Sequence, residues 1–202
     1  MSTIEYIYWP FLGRGAAIRF LLEDSKHPYT LHVQRKREVG VIDPGVYAVP
    51  AVRINGVWYS QSFAALYAVA EELGYLPPNE YRISSMQACL NLQDLLNEIL
   101  KIKSDEQKEQ FENGRLKEWL LVLEANVTIC KAGPFCYGET ISYIDFEILK
   151  VVLALRGLFS TTTLQESAPT VLRISEDVSL RPNVHAFFER DFDGQPLLMG
   201  TK

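Results

Sequence analysis

Gly74-Tyr75-Leu76-Pro77-Pro78-Asn79 divides this chain into two stretches that cannot fold alike. Adjacent prolines fix φ and remove two backbone N–H donors, so neither a helix nor a central strand runs through them, and the glycine ahead of them suits a helix end. Before this break, short runs of strand formers alternate with helical spacing; after residue 80 no convincing strand appears. The break predicts residues 1–74 as an α/β domain, residues 75–80 as a linker and residues 81–202 as an all-α helical bundle.

Ile4 to Tyr8 is strand-like, Gly13 to Asp24 carries Ala17, Phe20 and Leu21 at helical spacing, and Tyr29 to Gln34 is rich in strand formers. A strand-helix-strand unit favours a right-handed crossover with parallel strands. Pro50 follows a glycine- and proline-bearing loop and leads into Ala51-Val52-Arg53-Ile54, where proline is tolerated at a strand's first residue or edge. Asn55-Gly56 between two apolar runs predicts a two-residue hairpin, returning Val57-Trp58-Tyr59-Ser60 antiparallel. The sum is a mixed four-stranded sheet. Gln61-Ser62 then opens a helix from Phe63 to Leu73, and an N-capping serine there leaves backbone N–H groups able to face an anion.

Beyond the linker, Met86, Leu90, Gln93, Leu96, Asn97 and Leu100 mark one side of a long helix. A second long helix is expected from about Asp105 to Thr128, weakened near Asn113-Gly114 and closed by Gly133-Pro134. Ser142 and Asp145 have capping-box spacing before the apolar run Ile148, Leu149, Val151, Val152. Pro182 after Arg181 suits a last helix start, and Asp193-Gly194-Gln195-Pro196 turns the tail back.

A net charge of −5 with interspersed signs argues against a nucleic-acid surface, and no apolar run approaches the length needed to cross a bilayer. The N-terminus lacks the basic and apolar regions of a signal peptide, so a cytoplasmic location is expected. Cys89, Cys130 and Cys136 are odd in number and irregular in spacing, and are read as plain thiols. His27, His32 and His185 show no metal-ligand spacing; no metal or other cofactor is expected.

Tyr8-Trp9-Pro10-Phe11-Leu12-Gly13-Arg14, Val49-Pro50, Gln61-Ser62 and Ser142-Tyr143-Ile144-Asp145 together resemble the cytosolic glutathione transferases of the tyrosine-type branch, which holds the alpha, mu, pi and sigma classes. The resemblance spans nearly the whole chain, in order. It implies a thioredoxin-like N-terminal domain, a helical C-terminal domain, a homodimer, and glutathione as co-substrate for attack on a small apolar electrophile.

By that resemblance Tyr8 is the thiol activator; Tyr6 lies on the same strand face and is its rival. Val49, before a cis Pro50, would pair with the cysteinyl unit. Gln61 and Ser62 would hold the γ-glutamyl end, and Asp94 would reach across a two-fold dimer to its ammonium. Arg14 matches a binding position, whereas Arg35-Lys36-Arg37 and Ala48 depart from the family's loop and leave open which cation takes the glycyl carboxylate. The electrophile pocket is expected from Phe11 and Leu12, from the stretch around Ser104 (Ile102 to Gln107), and from the tail near Phe192 to Leu198. The absence of serine or cysteine from Phe11 to Arg14 excludes the serine and cysteine branches. A prostaglandin D synthase-type isomerase uses the same tyrosine, and a non-catalytic binding or lens-type protein keeps the fold without turnover.

Overall fold

The computed structural model describes residues 1–34, 46–128 and 133–191. The described residues form two compact units: those up to Leu76 together with Arg181–Asp191, and those from Pro77 to Leu180.

In the first unit, β1 (Ile4–Tyr8), α1 (Ala16–Ser25), β2 (Thr30–Val33), β3 (Ala51–Ile54), β4 (Val57–Ser60) and α2 (Ser62–Leu73) follow in order. The sheet runs β2-β1-β3-β4. β1 is parallel to β2, with Tyr8 beside Val33, and antiparallel to β3, which is itself antiparallel to β4. Asn55 and Gly56 both take positive φ, 50° and 89°, as a two-residue hairpin turn that follows strand twist requires. Ile4, Tyr6 and Tyr8 are buried while Glu5 and Ile7 are half-buried, so the strand's inward face carries both tyrosines. Helix α1 buries Ala16, Ala17, Ile18, Phe20, Leu21 and Leu22.

The last helix, α9 (Pro182–Asp191), belongs to this unit, so the sequence division at residue 80 does not hold for it. Phe187 and Phe188 pack edge-on against Phe20, with ring centroids 6.1 and 5.4 Å away. The Arg181 guanidinium donates two 2.7 Å bonds to the buried Asp24 carboxylate, which also accepts from the Tyr75 hydroxyl at 2.9 Å. Asn183 donates to the Asp24 carbonyl. These bonds answer a carboxylate that would be costly to bury alone.

The second unit holds α3 (Arg82–Ile99), α4 (Asp105–Asn113), α5 (Arg115–Val127), α6 (Tyr143–Arg156), α7 (Thr161–Ser167) and α8 (Pro169–Ser179); α9 (Pro182–Asp191) follows in the chain. The expected long helix at 105–128 is two helices. Gly114, at φ −123° and ψ −91°, ends one and begins the other. The buried face of α3 is Ser85, Ala88, Cys89, Leu92, Leu95, Leu96 and Ile99, rotated from the stripe expected on size alone; Leu90 and Leu100 are exposed. Ser85 on this face hydrogen-bonds the Tyr143 hydroxyl of α6 at 2.8 Å.

Helix α6 is buried nearly all round, as a central bundle helix must be, and packs against α3 and α8. Ser142 and Asp145 form the expected capping box: the Asp145 carboxylate accepts from the Ser142 N–H (2.8 Å) and hydroxyl (3.0 Å), and from the Cys136 N–H (2.7 Å). Lys150 donates to Glu147, and both are fully buried. Helix α8 has no side-chain cap at its own start. Instead, Glu124 of α5 accepts from the Thr170 and Val171 N–H groups. No helix among the described residues is long and apolar enough to cross a membrane.

Candidate functional site

Residues 13–15 form a 3-10 turn between β1 and α1. This turn sorts the two tyrosines that spacing alone leaves equivalent. The Tyr6 hydroxyl donates to the Gly15 carbonyl at 3.1 Å, so its proton is already committed within the fold. The Tyr8 oxygen instead accepts, from the Arg14 N–H at 2.7 Å. Among the described residues no acceptor takes the Tyr8 proton. Burial pushes the Tyr8 phenol above its ordinary range, with the Gly15 and Arg14 N–H groups pulling against it. At neutral pH Tyr8 is therefore a phenol and a donor.

Tyr8 borders a cleft of about 260 Å³ that the first unit forms by itself. Trp9, Phe11 and Leu12 from the segment after β1, Leu31 and Val33 from β2, and Phe187 from α9 make its walls apolar. Phe11 stands edge-on to Tyr8 at 5.7 Å. Phe11 and Leu12 both line this cleft with Tyr8. Sequence reasoning missed Leu31, Val33, Phe187, Arg19 and Asp191, which also line the cleft. Alternation in β2 could have suggested the first two, but nothing local points to α9. Arg19 lies between the rings of Tyr29 and Phe187, 5.2 and 5.3 Å from their centroids, and pairs with Glu23 at 3.0 Å.

The Val49-Pro50 bond is cis, and the strand it opens pairs with β1. Gln61 occupies the cap position of α2 with φ 71° and ψ 128°, a conformation that side-chain-bearing residues rarely hold. Ser62 is the first helical residue rather than the cap expected from sequence, and no side chain caps this helix start. The first N–H groups of α2 thereby keep the polarity that favours an anion. Arg14 is exposed at the turn beside Tyr8.

The remaining expected residues lie elsewhere. Asp94 is exposed on α3 in the second unit. Ser104 is the cap of α4, accepting from the Gln107 N–H at 3.2 Å, and lines a separate cleft of about 730 Å³ with Ile102, Lys103, Lys108, Leu158 and Phe159. It sits in the connection after α3. Arg35-Lys36-Arg37, Cys130 and the tail from Phe192 lie outside the described residues. Cys89 and Cys136 are buried free thiols. No cluster of metal-ligating side chains occurs among the described residues.

Comparison with known proteins follows the same lines. Residues 93–191 match the family model described as glutathione S-transferase, C-terminal domain. The chain is 22% identical over 194 residues to the Fasciola hepatica glutathione S-transferase class-mu 26 kDa isozyme 1, covering 90% of this chain and 85% of that one. Among solved structures, the pi-class glutathione S-transferase of Onchocerca volvulus superposes with a TM-score of 0.84 at 18% identity, over 96% of this chain and 97% of that chain. The Ascaris lumbricoides glutathione S-transferase gives 0.77 at 13% identity, over 94% and 97%.

Proposed function

We propose that this protein activates the glutathione thiol at Tyr8 and transfers it to a small apolar electrophile; the match of residues 93–191 to the glutathione S-transferase C-terminal family model and the shared fold with solved glutathione S-transferases support the reading. The observation that carries the reading is the Tyr8 hydroxyl: its oxygen is fixed by the Arg14 N–H, its proton has no acceptor among the described residues, and it borders an apolar cleft. A free thiol with a pKa of roughly 8.5 is mostly protonated at neutral pH, whereas the thiolate is the nucleophile. A phenol donating to sulfur favours the charged form; lowering the thiol by two units takes about 2.7 kcal/mol of preferential stabilisation. The thiolate then attacks the electrophile's carbon, and the new S–C bond forms as the leaving group departs or the adjacent π bond takes up the electron pair.

The rest of the tripeptide finds matching groups. The uncapped start of α2, with Gln61 and Ser62, suits the γ-glutamyl carboxylate, the Val49 backbone suits the cysteinyl unit, and Arg14 adds a cation near Tyr8. Phe11 and Leu12 take the electrophile's apolar body. Asp94 is proposed to act on the γ-glutamyl ammonium of a partner subunit in a homodimer.

Calorimetric titration with glutathione tests the reading. Wild type should bind, and Ser62→Ala should bind roughly 10- to 150-fold more weakly, through loss of a charge-assisted hydrogen bond of about 1.5–3 kcal/mol. A wild type that binds no glutathione overturns the proposal, and a Ser62→Ala variant that binds as wild type removes the α2 anion site from it.

A further inference from the structure

Tyr6 and Tyr8 lie side by side on β1 with rings stacked at 6.1 Å, and their hydroxyls meet the same turn in opposite senses. Tyr6 gives its proton to the Gly15 carbonyl, whereas Tyr8 receives the Arg14 N–H at 2.7 Å, with the Gly15 N–H acting in the same direction. We propose that the backbone N–H groups of the Gly13–Gly15 turn are a fixed donor set on the Tyr8 oxygen that sets the acidity of this phenol, and that Gly13 is the positioning residue that holds oxygen and donors together.

Fixed N–H donors aimed at an oxygen that gathers negative charge act as an oxyanion hole does, and they need no reorganisation at the moment of use. A phenol whose oxygen already accepts a hydrogen bond also donates its own proton more strongly, because linked hydrogen bonds polarise one another. The close approach depends on missing side chains. A Cβ on Gly13, which sits at φ 41°, would fall 2.6 Å from the Tyr8 oxygen. A Cβ on Gly15 would fall 2.1 Å from the Tyr6 oxygen and 2.9 Å from the Tyr8 ring. Any side chain at 13 must push the phenol oxygen off its donors or distort the turn. The inference deepens the proposed function where it touches the glutathione thiol, but the acidity of Tyr8 is a property of the free protein and is read without glutathione.

The test is a double-mutant cycle between Gly13→Ala and Tyr8→Phe. In the free protein, the tyrosinate absorbance of each form minus that of its Tyr8→Phe counterpart isolates Tyr8. Gly13→Ala should raise its titration midpoint by about one pH unit or more, the scale of one lost hydrogen bond to a charged oxygen. With glutathione bound, the thiolate midpoint should rise in the same direction and kcat should fall, while KM for glutathione stays within about twofold. In the Tyr8→Phe background Gly13→Ala should move neither, since the oxygen it displaces is gone. A folded Gly13→Ala protein with an unmoved Tyr8 midpoint overturns the inference, as does an equal thiol shift in the Tyr8→Phe background. A Tyr8 midpoint that rises while the bound thiol stays put supports the donor set and counts against Tyr8 as thiol activator. Should Gly13→Ala melt out, replacing the Arg14 amide with an ester deletes the N–H without adding a side chain, and the same midpoint decides.

Discussion

Each unit buries polar groups, but the two do so to different ends. Around α6 every charge closes on the protein itself: Glu147 on Lys150, and Asp145 on two N–H groups and a hydroxyl. On β1 the closure is left incomplete. Tyr6 closes on Gly15, while Tyr8 accepts from the turn and has no acceptor for its proton among the described residues. A fully answered polar group specifies packing; a half-answered one beside a cleft specifies a ligand.

Substitutions at Glu147, Asp145, Tyr8 and Tyr6 sharpen or break this contrast. The largest effect belongs to Glu147→Ala, which strands the Lys150 ammonium in the core and should cost about 3–5 kcal/mol in urea unfolding. The double change Glu147→Leu with Lys150→Met should recover most of that loss; if it does not, the pair is more than a closed charge. Next comes Asp145→Ala, which leaves two buried N–H groups without acceptors and should cost about 2–4 kcal/mol.

The same carboxylate carries a pH signature. Burial raises Asp145 to about 6, against roughly 3.9 unfolded, the N–H donors notwithstanding. The folded state therefore takes up this proton first. The stability it contributes is fully present below about pH 4 and is lost as pH rises through about 6. Asp145→Asn should flatten that part of the stability profile, measurable by melts between pH 4 and 7.

On the proposed function, Tyr8→Phe should invert the pattern, costing about 1 kcal/mol of stability through loss of the hydrogen bond from the Arg14 N–H but slowing conjugation roughly 30-fold, for about 2 kcal/mol lost at the transition state. Tyr6→Phe should give the smallest response, about 1 kcal/mol of stability and a conjugation rate within twofold of wild type. A Tyr6→Phe enzyme slowed as much as Tyr8→Phe would erase the distinction between the two phenols.

What was legible in the sequence was what short segments decide for themselves. Asn55-Gly56 makes its turn because both residues tolerate positive φ, and Ser142 with Asp145 makes its box because three residues of spacing suffice. The buried face of α3 departs from the stripe named from sequence because burial follows what α3 packs on: Ser85, which bonds the Tyr143 hydroxyl of α6, Ala88 and Cys89 are inside, and Leu90 and Leu100 are exposed. The break at Gly114 was visible as a weakness, but whether a helix crosses a glycine depends on what packs on either side. At the site, Tyr8 and Phe11 follow from local order. Sequence context already favours Tyr8 over Tyr6; what it could not show is that the Gly15 carbonyl takes the Tyr6 proton, or that the Phe187 wall comes from a helix more than 150 positions away in the chain.

That last helix has a consequence for how the protein is made. The first unit is discontinuous: its sheet and α1 are synthesised early, and α9 emerges only after all the helices of the second unit. Until then Asp24 lacks the Arg181 guanidinium and Phe20 lacks the rings of Phe187 and Phe188. Through most of translation the nascent unit carries a carboxylate answered only by the Tyr75 hydroxyl, and an uncovered aromatic surface. The ribosome thus finishes the earliest-made part of this molecule last, and the cleft beside Tyr8 gains its Phe187 wall in that same final step.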